Sequence, residues 1–327
     1  MKKNEFTADM PLVSIGIPTF NRPASLKNSI ESVINQTYKN LEIIVSDNCS
    51  PGAETEKVVR EFQKKDKRIK YFRQKENIGP IGNFQNALDL STGVYFKWMA
   101  DDDTIPADYV ERCVVFLLKN PDYVLASGFA SFYNDDGKFV RDDELLFLES
   151  GNEFVRVKKY FINVSSNSVF YGLYSGNALR GIQLTHELGT DWIVILQMLF
   201  KGKVKVFDDL YIRRHFVDNN RDSLWDSYKK IFNIRFKKLF EKYPLLSLHL
   251  SIIWLILLGR IFKCSFWKRL VLAEDLLINI VYEDYRLYHK VSSFVSGYYK
   301  HSRNFKKKFY SFIDEKSVFY IWKMPEK

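Results

Sequence analysis

Leu12-Val13-Ser14-Ile15-Gly16-Ile17, followed at once by Pro18-Thr19-Phe20-Asn21-Arg22-Pro23, is the stretch from which the fold can be read. A short apolar run of strand type ends in a polar turn bounded by prolines. Helical spacing follows through Leu26, Ile30, Val33 and Ile34, and Pro23 suits a first helical turn. The unit then returns. Leu41 to Val45 ends in Ser46-Asp47-Asn48-Cys49-Ser50-Pro51, where a helix can start with Ser50 as its cap and Pro51 behind it. Val58, Val59 and Phe62 give that helix an apolar face. Ile69 to Arg73 fits a third strand, Asn77-Ile78-Gly79-Pro80 a loop, and Phe84, Ala87 and Leu88 another helix. A fourth strand, Val94 to Met99, runs into Ala100-Asp101-Asp102-Asp103. Strands alternating with helices at this spacing predict an α/β fold with a mostly parallel sheet flanked by helices. Ligands of such sheets bind outside the carboxyl ends of the strands. Thr19-Phe20-Asn21, Asp47-Asn48 and the acidic triplet all fall at that edge.

Composition narrows the class. Of 327 residues, 46% are hydrophobic and 27% charged, which excludes a wholly disordered or collagen-like chain. Cys49, Cys113 and Cys264 are odd in number and far apart, so a disulfide scaffold or zinc ribbon is not expected, and a reducing cytoplasmic compartment is. The start of the chain lacks the apolar stretch of a signal peptide. The most apolar window, Leu245 to Leu258, has 14 residues, short of the about 20 that a spanning helix needs.

Charge is unevenly placed. Residues 1–220 carry 28 Lys and Arg against 29 Asp and Glu, whereas residues 221–327 carry 21 against 10, a net +11. The same last third holds 23 aromatic residues. We therefore expect two regions, an electrically balanced one over 1–220 and a basic, aromatic-rich helical region over 221–327. In the latter, Tyr228, Phe232, Phe236 and Phe240 recur every four residues. A stripe at this spacing reads as helix core rather than as base-stacking platforms, so no nucleic-acid partner is expected.

Three adjacent carboxylates at the end of an apolar strand repel one another unless a cation or solvent relieves them. Hard oxygen ligands suit magnesium or manganese, which bind through one or two carboxylates plus substrate phosphates. The bland alternative is an exposed acidic turn ahead of the next helix.

Residues 11–110 resemble the catalytic domain of family 2 glycosyltransferases, the Rossmann-like GT-A fold, and a looser resemblance continues to about 220. It is carried by Pro18-Thr19-Phe20-Asn21-Arg22, by Ser29 to Thr37, by Leu41 to Asp47, by Asn77-Ile78-Gly79, and by Gly93 to Trp98 leading into the triplet. The resemblance implies Asp101 and Asp103 as a DXD-type pair, Asp103 foremost as metal ligand, with Asp102 kept in the set. The implied cofactor is Mn2+ or Mg2+. Asp47 matches the position that bonds the uracil or thymine ring. Pro18, Thr19 and Asn21 match the loop around base and ribose, and Asn77 and Gly79 the loop near the diphosphate. Where many members carry an arginine, five residues after that glycine, this chain has Phe84. Phe170 to Tyr174 and Asn177 to Arg180 resemble the border between donor sugar and acceptor. Asp191, in Gly189-Thr190-Asp191-Trp192, matches the family's general base, although a plain helix N-cap explains it too. Arg213-x-His215 fits the family's R-x-H element and would add His215 to the metal ligands; the bland reading is a surface histidine.

The resemblance implies an inverting, metal-dependent transfer of one sugar from a UDP- or dTDP-linked donor to a hydroxyl of a glycan or lipid-linked glycan acceptor. A catalytically inactive scaffold or binding protein is the alternative. The basic region, with Lys306-Lys307-Lys308 between Phe305 and Phe309, implies docking at an anionic membrane surface, peripheral to the inner face. Burial of the 245–258 stretch inside the protein or in a homo-oligomer is the competing use of that face.

Overall fold

The segments with the most continuous apolar runs make the centre of the sheet. A computed structural model of the chain describes residues 10–277, with 135, 165, 217–225, 227 and 263 excepted. Strands β1 (Val13–Thr19) and β2 (Leu41–Asp47) pair in parallel, from Val13 opposite Leu41 to Thr19 opposite Asp47. Every residue of both is buried, as expected of strands covered on both faces. β3 (Ile69–Arg73) adds beside β2 and β4 (Tyr95–Trp98) beside β1, both parallel. The crossovers are α1 (Pro23–Ile34), α2 (Glu54–Lys65) and α3 (Gly79–Asp89). Leu26, Ile30 and Val33 of α1 and Val59 and Phe62 of α2 are buried, at the positions their spacing predicts.

α2 departs from expectation at its start. It begins at Glu54 rather than behind Ser50 and Pro51. The Ser50 N–H and hydroxyl both donate to the Asp47 carboxylate, at 2.9 and 2.5 Å, which withdraws that side chain from capping. Gly52, at φ +75, then turns the chain into the helix.

Beyond α4 (Tyr109–Lys119) the chain forms β5 (Tyr123–Tyr133), β6 (Phe139–Asp142) and α5 (Glu153–Asn163). A 3-10 turn (Ser168–Tyr171), β7 (Leu173–Ser175), α6 (Gly176–Leu179), α7 (Thr190–Lys201) and β8 (Lys203–His215) follow. The strand order is β3-β2-β1-β4-β7-β5-β6, with β8 paired to β5. β7 runs antiparallel to both neighbours, so the sheet is mixed beyond β4. At Gly128 the β5 backbone approaches β8 so closely that a Cβ would collide with the Leu210 carbonyl, and the pairing register shifts there.

α8 (Lys237–Lys242) and α9 (Pro244–Leu257) follow, and α9 packs back against α5 and α7. Gly189, at φ +79, lies beneath Leu248, and the His249 ring sits 4.9 Å from Phe161 and 5.7 Å from Trp192. The expected unbroken stripe from Tyr228 to Phe240 is interrupted after 231. There the Asn233 N–H donates to the His186 carbonyl at 2.6 Å, so the 186–188 loop takes a backbone group that a continuous helix would need. Leu248, Ile252, Ile253, Leu255 and Ile256 are buried, so most of the 245–258 window packs within the protein, while Trp254 and Leu258 remain exposed. No helix among the described residues is long and apolar enough to cross a membrane. Residues through Leu277 belong to one compact unit. The expected boundary near 220 and the Lys306–Lys308 cluster fall outside the described residues.

Candidate active site

The carboxyl ends of β1 and β2 meet at the pair Thr19–Asp47. Asp47 is fully buried, and its carboxylate accepts from Ser50 and, at 2.7 Å, from the Tyr71 hydroxyl, with Arg73 at 3.8 Å. Asn48 and Asn77 brace the next loop. Asn48 Nδ2 donates to Asn77 Oδ1 at 2.8 Å, and Asn77 Oδ1 also accepts from the Gly79 N–H at 2.9 Å. Gly79 opens α3 at φ +76, a left-handed position that favours glycine. Pro18 is buried in β1, and Asn21, at φ +54, donates its N–H to Ser50 Oγ. This edge thus holds Asp47, Asn77, Gly79 and Asn21 around one loop system. Phe84, where many members carry an arginine, supplies no cation and sits 6.1 Å from the Phe170 ring, which stacks on Trp98 at 4.8 Å.

The acidic triplet is not an exposed turn. Asp101 and Asp103 are buried and only Asp102 is partly open. Thr19 Oγ1 donates to Asp101 Oδ2 at 2.7 Å, so Thr19 supports the triplet directly. Arg22 bridges Asp101 at 3.3 Å and Asp102 at 2.8 Å. Burial pushes the Asp101 carboxyl up, against the pull of Thr19 and Arg22. Asp103 lies deeper and faces Arg214 at 3.2 Å. Burial pushes its carboxyl up to about 6, and the Arg214 charge opposes the shift. Asp103 Oδ2 and Arg214 Nε are buried and have no aligned hydrogen-bond partner. Lys97, fully buried below, donates to the Tyr171 carbonyl and lies 4.7 Å from the Tyr109 ring; burial pushes its ammonium down to about 8.

β8 brings the second half of the site. Leu210 and Ile212 are buried while Tyr211, Arg213 and His215 are exposed, so Arg214 shares the inward face. Arg213, expected at the site, lies instead over the Tyr133 ring at 3.7 Å and donates to the Gly137 carbonyl. Arg214 sits 5.0 Å from the Tyr171 ring. His215 reaches Asp103 through its backbone N–H.

Asp191 stands in the first turn of α7. The N-cap is Gly189, so the plain-cap reading does not describe it. Burial raises the Asp191 carboxyl, and the Asn167 side chain, the Trp192 N–H and the Arg214 charge oppose this. Asn167 Nδ2 donates to Asp191 Oδ2 at 2.8 Å. Trp192 beside it is wedged among Tyr160, Phe161 and His249. The sequence reading assigns no role to Arg22, Arg214 or Asn167. The alternation Leu210, Ile212, Arg214 carries a signal for the second; nothing local marks the third.

Among the described residues, no group of three or more His, Cys, Asp or Glu side chains converges as a closed cage for a metal. Two buried carboxylates two residues apart, Asp101 and Asp103, supply hard oxygens of the kind that hold a cation bound by one or two carboxylates and completed by substrate phosphate.

The family described as Glycosyl transferase family 2 matches residues 14–182, and the chain belongs to it. It is 31% identical over 196 residues to the GalNAc(5)-diNAcBac-PP-undecaprenol beta-1,3-glucosyltransferase of Campylobacter jejuni, covering 59% of this chain and 61% of that one. It is 29% identical over 177 residues to glycosyltransferase GlyA of Streptococcus pneumoniae, covering 54% of this chain and 24% of that one. The chain thus spans less than two thirds of the length of these relatives. Its fold is similar to that of S. aureus TarS 1–349 in complex with UDP-GlcNAc, with a TM-score of 0.60 and 15% identity, over 83% of this chain and 72% of that one. The fold is GT-A.

Proposed function

We propose that the chain transfers one sugar from a UDP- or dTDP-linked donor to a hydroxyl of a lipid-linked glycan, with inversion. The observation that supports this most is electrostatic. The Arg214 guanidinium pairs with Asp103 at 3.2 Å, and its charge also favours the ionised form of Asp191, so one cation acts on both the donor-side and the acceptor-side carboxylate. The name of the Campylobacter relative motivates the lipid-linked acceptor.

In this reading the acceptor oxygen attacks the anomeric carbon as the bond to the diphosphate oxygen breaks. The nucleoside diphosphate leaves with the electron pair, and Asp191 takes the hydroxyl proton. Asp101 and Asp103 would hold Mn2+ or Mg2+, whose charge would stabilise the departing diphosphate. Thr19 and Arg22 hold Asp101 in place; Arg214 keeps Asp103 oriented. Asp47 and the Asn77–Gly79 loop border the nucleotide.

The test is a screen of UDP-glucose, UDP-GlcNAc, UDP-galactose and dTDP-rhamnose with undecaprenyl-diphosphate-linked sugars as acceptors. Release of nucleoside diphosphate with a lipid-linked product of greater mass is expected. Nucleotide binding with no turnover of any donor favours the inactive scaffold.

Peripheral docking on an anionic membrane is part of the proposal. Trp254, Leu258, Phe266, Trp267 and Leu270 are exposed, Trp267 at 71%, and Arg260 is exposed nearby in sequence. Each Lys or Arg near an anionic surface contributes about 1 kcal/mol, and exposed aromatics favour the interface. The full chain should co-sediment with phosphatidylglycerol vesicles but not with phosphatidylcholine vesicles. Salt and Trp267→Asp should each weaken the binding. A folded protein that ignores both vesicles at low salt contradicts docking.

A further inference from the structure

We propose that Asn167 positions the Asp191 carboxylate and keeps it in its ionised form; this rests on the reading of Asp191 as general base. Asn167 stands between α5 and the 3-10 turn at φ +51, ψ +38, a left-handed conformation uncommon for a residue with a side chain. Its side chain is buried, and both ends of the amide are engaged. Nδ2 donates to Asp191 Oδ2 at 2.8 Å, while Oδ1 accepts from the Tyr160 hydroxyl at 2.7 Å. Burial holds the Tyr160 phenol well above its ordinary range, so it remains a donor. That donor decides which end of the amide faces Asp191. Flipped, the amide oxygen would confront the carboxylate.

The turn is also strapped on both sides. Ser166 and Ser168 donate to the Asp143 carboxylate, Ser168 at 2.8 Å, and their hydroxyls meet at 2.7 Å. Glycine would adopt the left-handed backbone of Asn167 with less strain. What asparagine supplies and glycine does not is the donor to Asp191 and the link to Tyr160. The position therefore reads as a device for the carboxylate rather than for the turn.

Besides Asn167, the Trp192 N–H, the N–H of Asp191 itself and the Arg214 charge act on Asp191, and its charge in turn helps keep the phenols of Tyr160, Tyr171, Tyr174 and Tyr228 neutral. Arg214 and the N–H donors favour the anion, whereas burial disfavours it. Removing the Asn167 donor leaves the anion less favoured. A base works ionised, so the acidic limb of the kcat profile must move to higher pH.

The experiment compares wild type, Asn167→Gly, Tyr160→Phe and Asp191→Asn on the donor and acceptor pair found by the screen above. A hydrogen bond to a charged group of this kind corresponds to a loss of about 10- to 100-fold in kcat at neutral pH, with the acidic limb raised by about one pH unit. Donor KM should change by less than about twofold, since the donor-side contacts are untouched. Tyr160→Phe should move kcat and the limb in the same direction by less. An Asn167→Gly enzyme with wild-type kcat and acidic limb overturns the proposal. So does one whose kcat falls with no shift of the limb, because that is the behaviour of a structural role. Should Asn167→Gly not fold, Asn167→Asp decides: it tolerates the left-handed backbone and sets a second carboxylate against the first, so an unmoved acidic limb again overturns the proposal. Asp191→Asn at wild-type turnover removes the base itself, an outcome distinct from an inactive Asp191→Asn beside an unaffected Asn167→Gly.

Discussion

Asp191→Asn should lower turnover by about a hundredfold or more, the range for loss of a general base, while donor affinity stays near wild type. The substitution keeps shape and volume. Its amide oxygen can still accept from Asn167 Nδ2, so the contact that fixes the side chain survives. The helix start survives as well, because Gly189 and not Asp191 is the N-cap of α7. What is lost is the proton acceptor. The pH dependence of the wild-type enzyme gives a second check. Burial raises the Asp191 carboxyl above the ordinary aspartate range, and the base is competent only when ionised. The acidic limb of kcat should therefore lie above that range and vanish in the variant. Wild-type turnover by a folded Asp191→Asn protein would remove the assignment.

The second large effect concerns the acidic triplet. UDP or dTDP should bind measurably tighter with Mn2+ or Mg2+ than with EDTA. Asp103→Ala should weaken the metal-dependent binding on the order of a hundredfold or more, beyond the 10- to 100-fold typical of losing a supporting residue. Asp103 is buried, and its Oδ2 has no aligned hydrogen bond but faces the Arg214 guanidinium at 3.2 Å, so a cation at the triplet would share this carboxylate with Arg214. The alanine variant also strands Arg214, which pairs with Asp103 at 3.2 Å. Breaking one side of a buried pair costs about 3–5 kcal/mol of stability. Thermal melts must therefore accompany the calorimetry, to separate lost metal binding from lost stability. Equal nucleotide affinity with metal and with EDTA in the wild-type protein contradicts the metal reading.

The parallel half of the fold is legible in the sequence because its information is local. Short apolar runs ending before Pro18 and Ser46 and at Ala100 mark strand ends, and the first two are followed by 3.6-period spacing. The acidic triplet is legible for the same reason, as polar residues at the end of an apolar strand. Elements settled by competition between groups are not legible in this way. Ser50 looked like a cap until the Asp47 carboxylate claimed it. The aromatic stripe from Tyr228 looked unbroken until the 186–188 loop took the Asn233 N–H.

What the sequence by itself determined is the alternation of strands and helices as far as the acidic triplet, and the family. Only the tertiary structure decided which groups serve the carboxylates. Thr19, read as part of the nucleotide loop, supports Asp101 across 82 positions of sequence, and Arg214 rather than Arg213 reaches Asp103 because β8 turns alternate side chains inward. Asn167 and Asp191 meet because α5, the 3-10 turn and α7 pack around Trp192 and Tyr160. Periodicity is set by neighbours a few residues apart, whereas these contacts are set by packing between elements far apart in the chain, and no local pattern encodes which side chain will face which.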